Sequence, residues 1–420
     1  MRLWTYLAGL CVAAGLAFAA AGQAAAADRP QCGLDTGKPA TGAPIEIGAV
    51  VGKTGPADFS ASARAAKAYF ECVNANGGIN GRRIHYTIAD DAWNPEQAAQ
   101  VATKLVNDTK VVAMVGNSSM VDCSVNEKLY EAENLVVIAG VGVPRDCFFS
   151  KNIAPTNAGP RLSNIGGAVY LDKTFGLKKV VCVSANIPGV GDWSCGGVAD
   201  WGKTHGVEVK VILTDPGSLD PTSLILQIAA FNPDAIDINL PKEPSVPVFA
   251  AAQAQGMGGK YKWFSPASSY DASFPKAVGP YWDNRIYVQL ELEPLDKKAP
   301  DNLNWMAVLK KYGNVADAST FSQAGYLAAR IATQAMLKLD PAKIDRASVG
   351  KALRDVKGFK SDIICGAWYF GPGSQHNAIH AGSEAVVHDG GFETKASCFA
   401  IDDPELAPVL KVEKELHLSE

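Results

Sequence analysis

Past residue 27 the chain has no unbroken apolar run approaching the ~20 residues that a bilayer-spanning helix needs. A soluble product is expected. It also lacks any basic block: 39 Lys and Arg stand against 43 Asp and Glu, a formal charge of −4, so nucleic acid and anionic membrane surfaces are poor partners. No C-x-x-C occurs, which removes the usual zinc and dithiol scaffolds, and no G-x-S-x-G occurs, which removes the nucleophile elbow of many hydrolases. Gly52-Lys53-Thr54 looks like the end of a phosphate-binding loop, but the glycine such a loop requires falls on Ile47. Nucleotide binding is therefore not expected. Repeats and low-complexity segments are absent beyond the N-terminal stretch.

That stretch carries its own message. Met1-Arg2 is a short positive start, Leu3 to Ala20 is almost wholly apolar, and Ala25-Ala26-Ala27 presents small residues before Asp28. This is the pattern of an export signal spanning residues 1–27 and cut after Ala27. An uncleaved anchor is the competing reading, disfavoured by the small-residue end. Cys11 follows Leu7-Ala8-Gly9-Leu10, yet a lipid-attachment box wants Gly or Ala where Leu10 stands. An exported protein works without ATP or NAD(P)H and in conditions that permit disulfides. Cysteine usage agrees: cutting away Cys11 leaves Cys32, Cys72, Cys123, Cys147, Cys182, Cys195, Cys365 and Cys398, an even set. Pairing of chain neighbours is the simplest arrangement, and a 123–147 loop would be worth about 3 kcal/mol on the chain-entropy account. Cys182, inside the apolar run Val180-Val181-Cys182-Val183, is the one best suited to remain a buried thiol instead.

With 47% hydrophobic and 20% charged residues, the chain has material for a sizeable core in two or three domains. From Ile45 onward, short β-branched runs alternate with helical stretches. Strands are predicted at 45–51, 84–88, 111–115 and 135–139, with helices over 59–76, 95–108 and 121–133; Pro95 sits where a first helical turn tolerates it. A second series has strands at 179–184, 207–213, 235–239 and 261–265. Helices over 301–312, 319–339 and 346–356 follow, then a β-rich tail. Serial βα alternation implies parallel sheets covered on both faces. One sheet holding every strand would be unusually large, so two doubly wound α/β lobes are expected: residues 28–157 with 291–357, and 158–290 with 358–420.

Particular residues then fall into a familiar order. Thr54-Gly55-Pro56, Asn74-Ala75-Asn76-Gly77-Gly78-Ile79-Asn80-Gly81, Asp90-Asp91 and Asn94-Pro95-Glu96-Gln97-Ala98-Ala99 resemble the leucine/isoleucine/valine-binding family, the type I periplasmic solute receptors of ABC importers. The resemblance is sharpest over residues 45–139. It implies two parallel-sheet lobes joined by a multi-strand hinge, a periplasmic location, a small-molecule ligand in the cleft, a membrane permease as partner, and neither cofactor nor metal. A monomer is expected.

The same resemblance places binding positions. The loop Gly116-Asn117-Ser118-Ser119-Met120 corresponds to one that meets the ligand's carboxylate, and Val141-Gly142-Val143 to a second. Met120, Val141 and Val143 stand where amino-acid binders place hydroxyls; Ser118 and Ser119 retain them. The loop Pro266-Ala267-Ser268 corresponds to the place where an acid grips the ligand ammonium, and it has no carboxylate, while Asp271 lies a few residues on. Stranding an ammonium costs several kcal/mol. A carboxylate with an aromatic or aliphatic body is therefore the preferred ligand, sandwiched by Phe59, Trp193, Tyr270 and Phe321, with Ser268 nearby. Branched-chain or other amino acids are the alternative, and a sensory ligand-binding domain is another. A secreted hydrolase ranks last: Asp90-Asp91 more simply orders a strand-end loop, and His376, His380 and His388 read as surface-loop histidines rather than metal ligands. No enzymatic activity is expected.

Overall fold

The computed structural model describes residues 29–215 and 217–418. The export signal, its cleavage point and Cys11 lie outside the described residues.

The first half delivers β1 (Gly42–Val51), α1 (Ala61–Ala75), β2 (Arg82–Asp90), α2 (Pro95–Asn107), β3 (Ala113–Val115), α3 (Asp122–Ala132), β4 (Val137–Ala139), α4 (Arg145–Phe148) and β5 (Ile153–Pro155). These five strands form one all-parallel sheet in the order β2-β1-β3-β4-β5. Local chemistry sets the boundaries: Asn94 caps α2 by accepting the Gln97 N–H, with Pro95 in the first turn.

The chain then crosses to α5 (Pro160–Phe175), β6 (Lys179–Ala185), α6 (Gly191–His205), β7 (Glu208–Thr214), α7 (Pro221–Phe231), β8 (Ala235–Asn239), α8 (Lys242–Ala254), β9 (Lys262–Ser265), α9 (Phe274–Val278) and β10 (Ile286–Leu290). A second crossover leads to α10 (Pro300–Tyr312), α11 (Thr320–Met336) and α12 (Arg346–Arg354). These helices pack beside the first sheet: α10 and α11 on α1, and α12 on α11 and β3. A small ladder, β11 (Phe359–Lys360) with β12 (Ala367–Trp368), precedes the hairpin β13 (Ala381–His388) and β14 (Gly391–Ala400) and the last helix, α13 (Ala407–Glu415).

The second sheet has the order β14-β13-β10-β9-β8-β6-β7. Its β10-β9-β8-β6-β7 portion is parallel; β13 runs antiparallel to β10, and β14 antiparallel to β13. The β-rich tail thus extends a parallel sheet with a hairpin, whose tight turn can only add its strands in alternating directions. Helix α5 lies directly on this sheet. Gly167 permits that approach, since a Cβ there would stand 2.6 Å from the Phe264 ring.

Three crossovers join the lobes, at residues 156–159, 291–299 and 355–380, and they hold one another. The Trp368 Nε1–H donates to the Pro155 carbonyl at 2.7 Å, and the Glu293 N–H to the Ile363 carbonyl at 2.9 Å. Four disulfides pair chain neighbours, Cys32–Cys72, Cys123–Cys147, Cys182–Cys195 and Cys365–Cys398, so Cys182 is bonded rather than free. The last bridge pins the third crossover to β14. The tail adds a strap: Arg161 Nε lies 2.7 Å from Asp403 and 3.0 Å from Glu405, while Glu413 accepts from Tyr369 and His380.

Candidate functional site

The carboxyl ends of both sheets face one another, and the loops that leave them enclose an inner pocket of about 470 Å³, its open mouth included. From the first lobe come Phe59, Met120, Val141, Gly142, Val143 and Phe321. Across from them stand Ser184, Ala185, Val190, Asn239, Leu240, Pro241, Pro266 and Ser268, and the crossovers supply Asn157, Pro160 and Glu291. This wall is dominated by apolar groups. Phe59 and Phe321 lie 5.2 Å apart between ring centroids, and Trp93 meets Phe59 edge-on at 5.6 Å, so the aromatic wall is braced from behind.

Polar groups in the pocket are mostly engaged. Asn239 Nδ2 donates to Ser184 Oγ and Ser194 Oγ, and Ser268 Oγ donates to the Leu240 carbonyl at 3.1 Å. Asn157 clamps Gly142 from both sides, accepting its N–H at 2.8 Å and donating to its carbonyl at 3.2 Å. Only glycine fits there, because a Cβ on residue 142 would meet Pro155 at 2.7 Å and Phe148 at 2.9 Å.

Glu291 is the exception, and the sequence reading passed over it. It is 4% exposed, its Oε2 has no hydrogen-bond partner, and burial pushes its carboxyl up to about 7 against the pull of the Asn157 amide and the Ala158 and Gly159 N–H groups. Among the described residues it is the sole titratable side chain lining the inner pocket. In the sequence it sits two residues before Glu293 in an alternating Gln-Leu-Glu-Leu-Glu run, which carries no signal of its burial.

The predicted residues divide accordingly. Phe59, Met120, Val141, Gly142, Val143, Ser268 and Phe321 come together in the pocket. Tyr270 lines an adjoining chamber at the mouth, where its ring packs on Phe392 at 4.6 Å and its hydroxyl accepts the Leu295 N–H. Three candidates stand apart. Ser119 is spent on structure: its hydroxyl binds the Asp91 carboxylate and accepts the N–H groups of Val121 and Asp122 at the start of α3. Ser118 is fully buried between β1 and the Val141 loop, bridged to Val51 and Val141. Trp193 stacks near Phe148 and Phe149 and donates to Glu405 at 2.8 Å, bracing the junction with the tail.

Asp90 and Asp91 order loops, Asp90 by accepting from Lys53, Thr54 and Ala92 and Asp91 by accepting from Trp93. The three histidines go to separate partners: His376 to the Phe370 carbonyl, His380 to Glu413 and His388 to Asn284. Glu293, Cys365 and Cys398 lie within metal-binding distance of one another, but the disulfide leaves no thiolate to bind an ion.

At the mouth, Arg64 is held between Asp58 at 3.0 Å and Asp317 at 2.9 Å, and Lys242 lies 3.4 Å from Asp271. These cations are already paired. The rim is also closed by backbone contacts: the Thr320 N–H reaches the Tyr270 carbonyl at 3.4 Å, and the Arg145 N–H donates to Gly189 at 2.8 Å.

Two α/β lobes on a triple crossover with a cleft between them define a hinged receptor class. The sequence model of the periplasmic binding protein family matches residues 44–391, and the chain belongs to that family. Among curated relatives, it is 37% identical over 75 residues to an amino acid binding protein of Pseudomonas aeruginosa and 35% identical over 66 residues to the Leu/Ile/Val-binding protein of Escherichia coli K12. Those stretches cover 18% and 16% of this chain, and 20% and 18% of the relatives' own length. Solved structures share the fold along nearly the whole chain. A fatty acid ABC transporter substrate-binding protein from Thermomonospora curvata superposes with a TM-score of 0.74 at 21% identity, over 91% of this chain and 97% of its own. A solute binding protein from R. palustris in complex with 4-hydroxybenzoate gives 0.73 at 17%, over 87% and 100%. A leucine binding protein from Thermotoga maritima gives 0.71 at 17%, over 86% and 99%.

Proposed function

We propose that this chain is the periplasmic solute receptor of an ABC importer, and that its inner pocket takes a small organic carboxylate with an aromatic or aliphatic body. It performs no chemical step. The observation that carries the reading is the apolar wall of Phe59, Met120, Val141, Val143, Val190, Leu240 and Phe321, set at the facing ends of two sheets. Such a wall removes a ring or alkyl chain from water at about 25 cal/mol per Å² buried. Two structural neighbours, a fatty acid ABC transporter substrate-binding protein and a solute binding protein in complex with 4-hydroxybenzoate, support that class. The mature protein begins at Asp28, works as a monomer, and divides into lobes of 28–157 with 291–357 and 158–290 with 358–420. A membrane permease is its partner.

Glu291 favours a second reading, an amino acid whose ammonium it would pair, and the local matches to amino-acid-binding relatives point the same way. Differential scanning fluorimetry with benzoates, medium-chain fatty acids and amino acids separates the two, since a ligand that binds the native state raises its melting temperature. Stabilisation by acids lacking an amino group is expected. Strong stabilisation by leucine or valine, with none by those acids, would overturn the preference.

A further inference from the structure

An acid in the binding pocket of a receptor for acids is a contradiction on its face, and the surroundings of Glu291 resolve it. The residues lining the inner pocket include no Lys, Arg or His to balance a second negative charge. The charged side chains on neighbouring segments are committed elsewhere. Arg161, at the start of α5, is held by Asp403 and Glu405; Arg145, beyond the Val143 loop, reaches Glu405 at 3.4 Å; Glu293, two residues along the same crossover, pairs with Lys297 at 3.0 Å. Lys242 and Asp271, on the loops opposite, pair with each other.

What the pocket does offer is a set of helix starts. Val190 and Pro241 are the cap residues of α6 and α8, Pro160 is in the first turn of α5, and Phe321 is in the first turn of α11. Four helix N-termini together favour one negative charge at this place. They do not favour two. A ligand ammonium would face the same positive ends aided only by Glu291, on which the Asn157 amide and the Ala158 and Gly159 N–H groups bear while its Oε2 is left without a donor.

Resting on the carboxylate reading above, we propose that Glu291 is a specificity-determining acid that binds the ligand as a shared-proton pair: its carboxyl O–H donates to the ligand carboxylate, and the two acids together carry one negative charge. No bond to carbon changes. One proton is held between two oxygens, and when Glu291 is ionised beforehand that proton is supplied by the buffer acid as the ligand enters. The arrangement selects monoanionic ligands and disfavours ligands carrying an ammonium near the floor of the cleft. Burial already keeps the free carboxyl near 7, and the arriving anion raises it further.

The test is isothermal titration of the full protein with benzoate, 4-hydroxybenzoate and octanoate from pH 6 to 9, in pairs of buffers that differ in ionisation enthalpy. Linkage predicts that affinity weakens about tenfold for each pH unit above the carboxyl's own pKa and that close to one proton is taken up per ligand at pH 8. Glu291→Gln, whose amide donates at every pH, should lose the slope and the proton uptake. Should that variant fail to fold, the proton count on the unaltered protein decides alone. Carboxylates that bind with flat pH dependence and no proton uptake would overturn the shared proton while leaving the receptor reading intact. Benzylamine binding that strengthens with pH and vanishes in Glu291→Gln would overturn it in favour of an ionised Glu291. Failure of all three acids to bind at pH 6 would remove the carboxylate reading and this inference together.

Discussion

Thr320, at the first turn of α11, directs its N–H at the carbonyl of Tyr270 on the facing lobe, 3.4 Å away, and the neighbouring residues Asp271 and Ser319 form an isolated antiparallel bridge. The rim is thereby stitched backbone to backbone, with the Arg145 to Gly189 bond at another point. A hinge that opens must break both stitches, and a ligand that bridges the lobes holds them shut. Amide hydrogen exchange at Thr320 and Arg145 should therefore slow by about tenfold or more when a bound acid is added at saturating concentration. Exchange that ignores the ligand would place closure elsewhere.

Glu384 on β13 and Asp237 on β8 are both fully buried, and neither Glu384 oxygen has a hydrogen-bond partner. Burial raises both carboxyls well above their ordinary values, and Asp237 pushes Glu384 further in the same direction. A raised folded-state pKa means that the unfolded chain loses its proton first. Stability from this acid is full below about pH 4 and declines as pH climbs toward the folded value. Glu384→Gln should accordingly stabilise the protein at pH 8 by about 1–3 kcal/mol, with the gain shrinking toward zero near pH 4. Urea melts at the two pH values check this; an equal gain at both would point to packing instead.

Arg161 and Asp403 form an ion pair whose side chains are 7% and 2% exposed. Removing one member of such a pair leaves a buried charge behind, which costs about 3–5 kcal/mol. Asp403→Ala should fall toward the lower end of that range, because Glu405 remains 3.0 Å from the guanidinium. Chemical denaturation measures the loss, and a cost under 1 kcal/mol would show that Glu405 suffices.

The Cys123–Cys147 bridge ties α3 to α4 across 24 residues of chain. Replacing both cysteines by serine should lower stability by about 3 kcal/mol through the freer unfolded chain. Ligand affinity should change little, since neither sulfur lines the pocket. A large loss of affinity with normal stability would reveal a role in positioning the Met120 or Val143 loops.

Much of the fold was legible because parallel strands buried on both faces are written as apolar runs: 235–239 was read to the residue, and 179–184 came within one of it. β10 escaped, and the β-rich tail was read without the bounds of β13, because each strand carries a buried polar side chain, Gln289 and Glu384, which breaks the apolar signal. The partner of Gln289 exists only after folding, when Ser163 on α5 donates to it. The pocket wall was legible at Phe59, Val141, Val143 and Phe321, where loop position after a strand or before a helix sets the direction. Ser119 was misplaced because a hydroxyl that caps a helix and one that meets a ligand occupy the same kind of loop. Glu291 was missed because burial is a property of what surrounds a residue, and its local sequence alternates as a half-exposed strand would.

The strap formed by residues 403–413 has a bearing on how the molecule comes into being. A chain made from its N-terminus completes the first sheet and most of the second long before Asp403 and Glu413 exist to engage Arg161, Tyr369 and His380. Until that final stretch arrives, the Arg161 guanidinium on α5 has only the half-exposed Asp200 at 3.4 Å and the Trp193 carbonyl at 3.2 Å as partners, and the Cys365–Cys398 bridge has only just gained its second sulfur. Assembly of the individual layers and tightening of the joint between them are therefore separate events, and translation order puts the joint last.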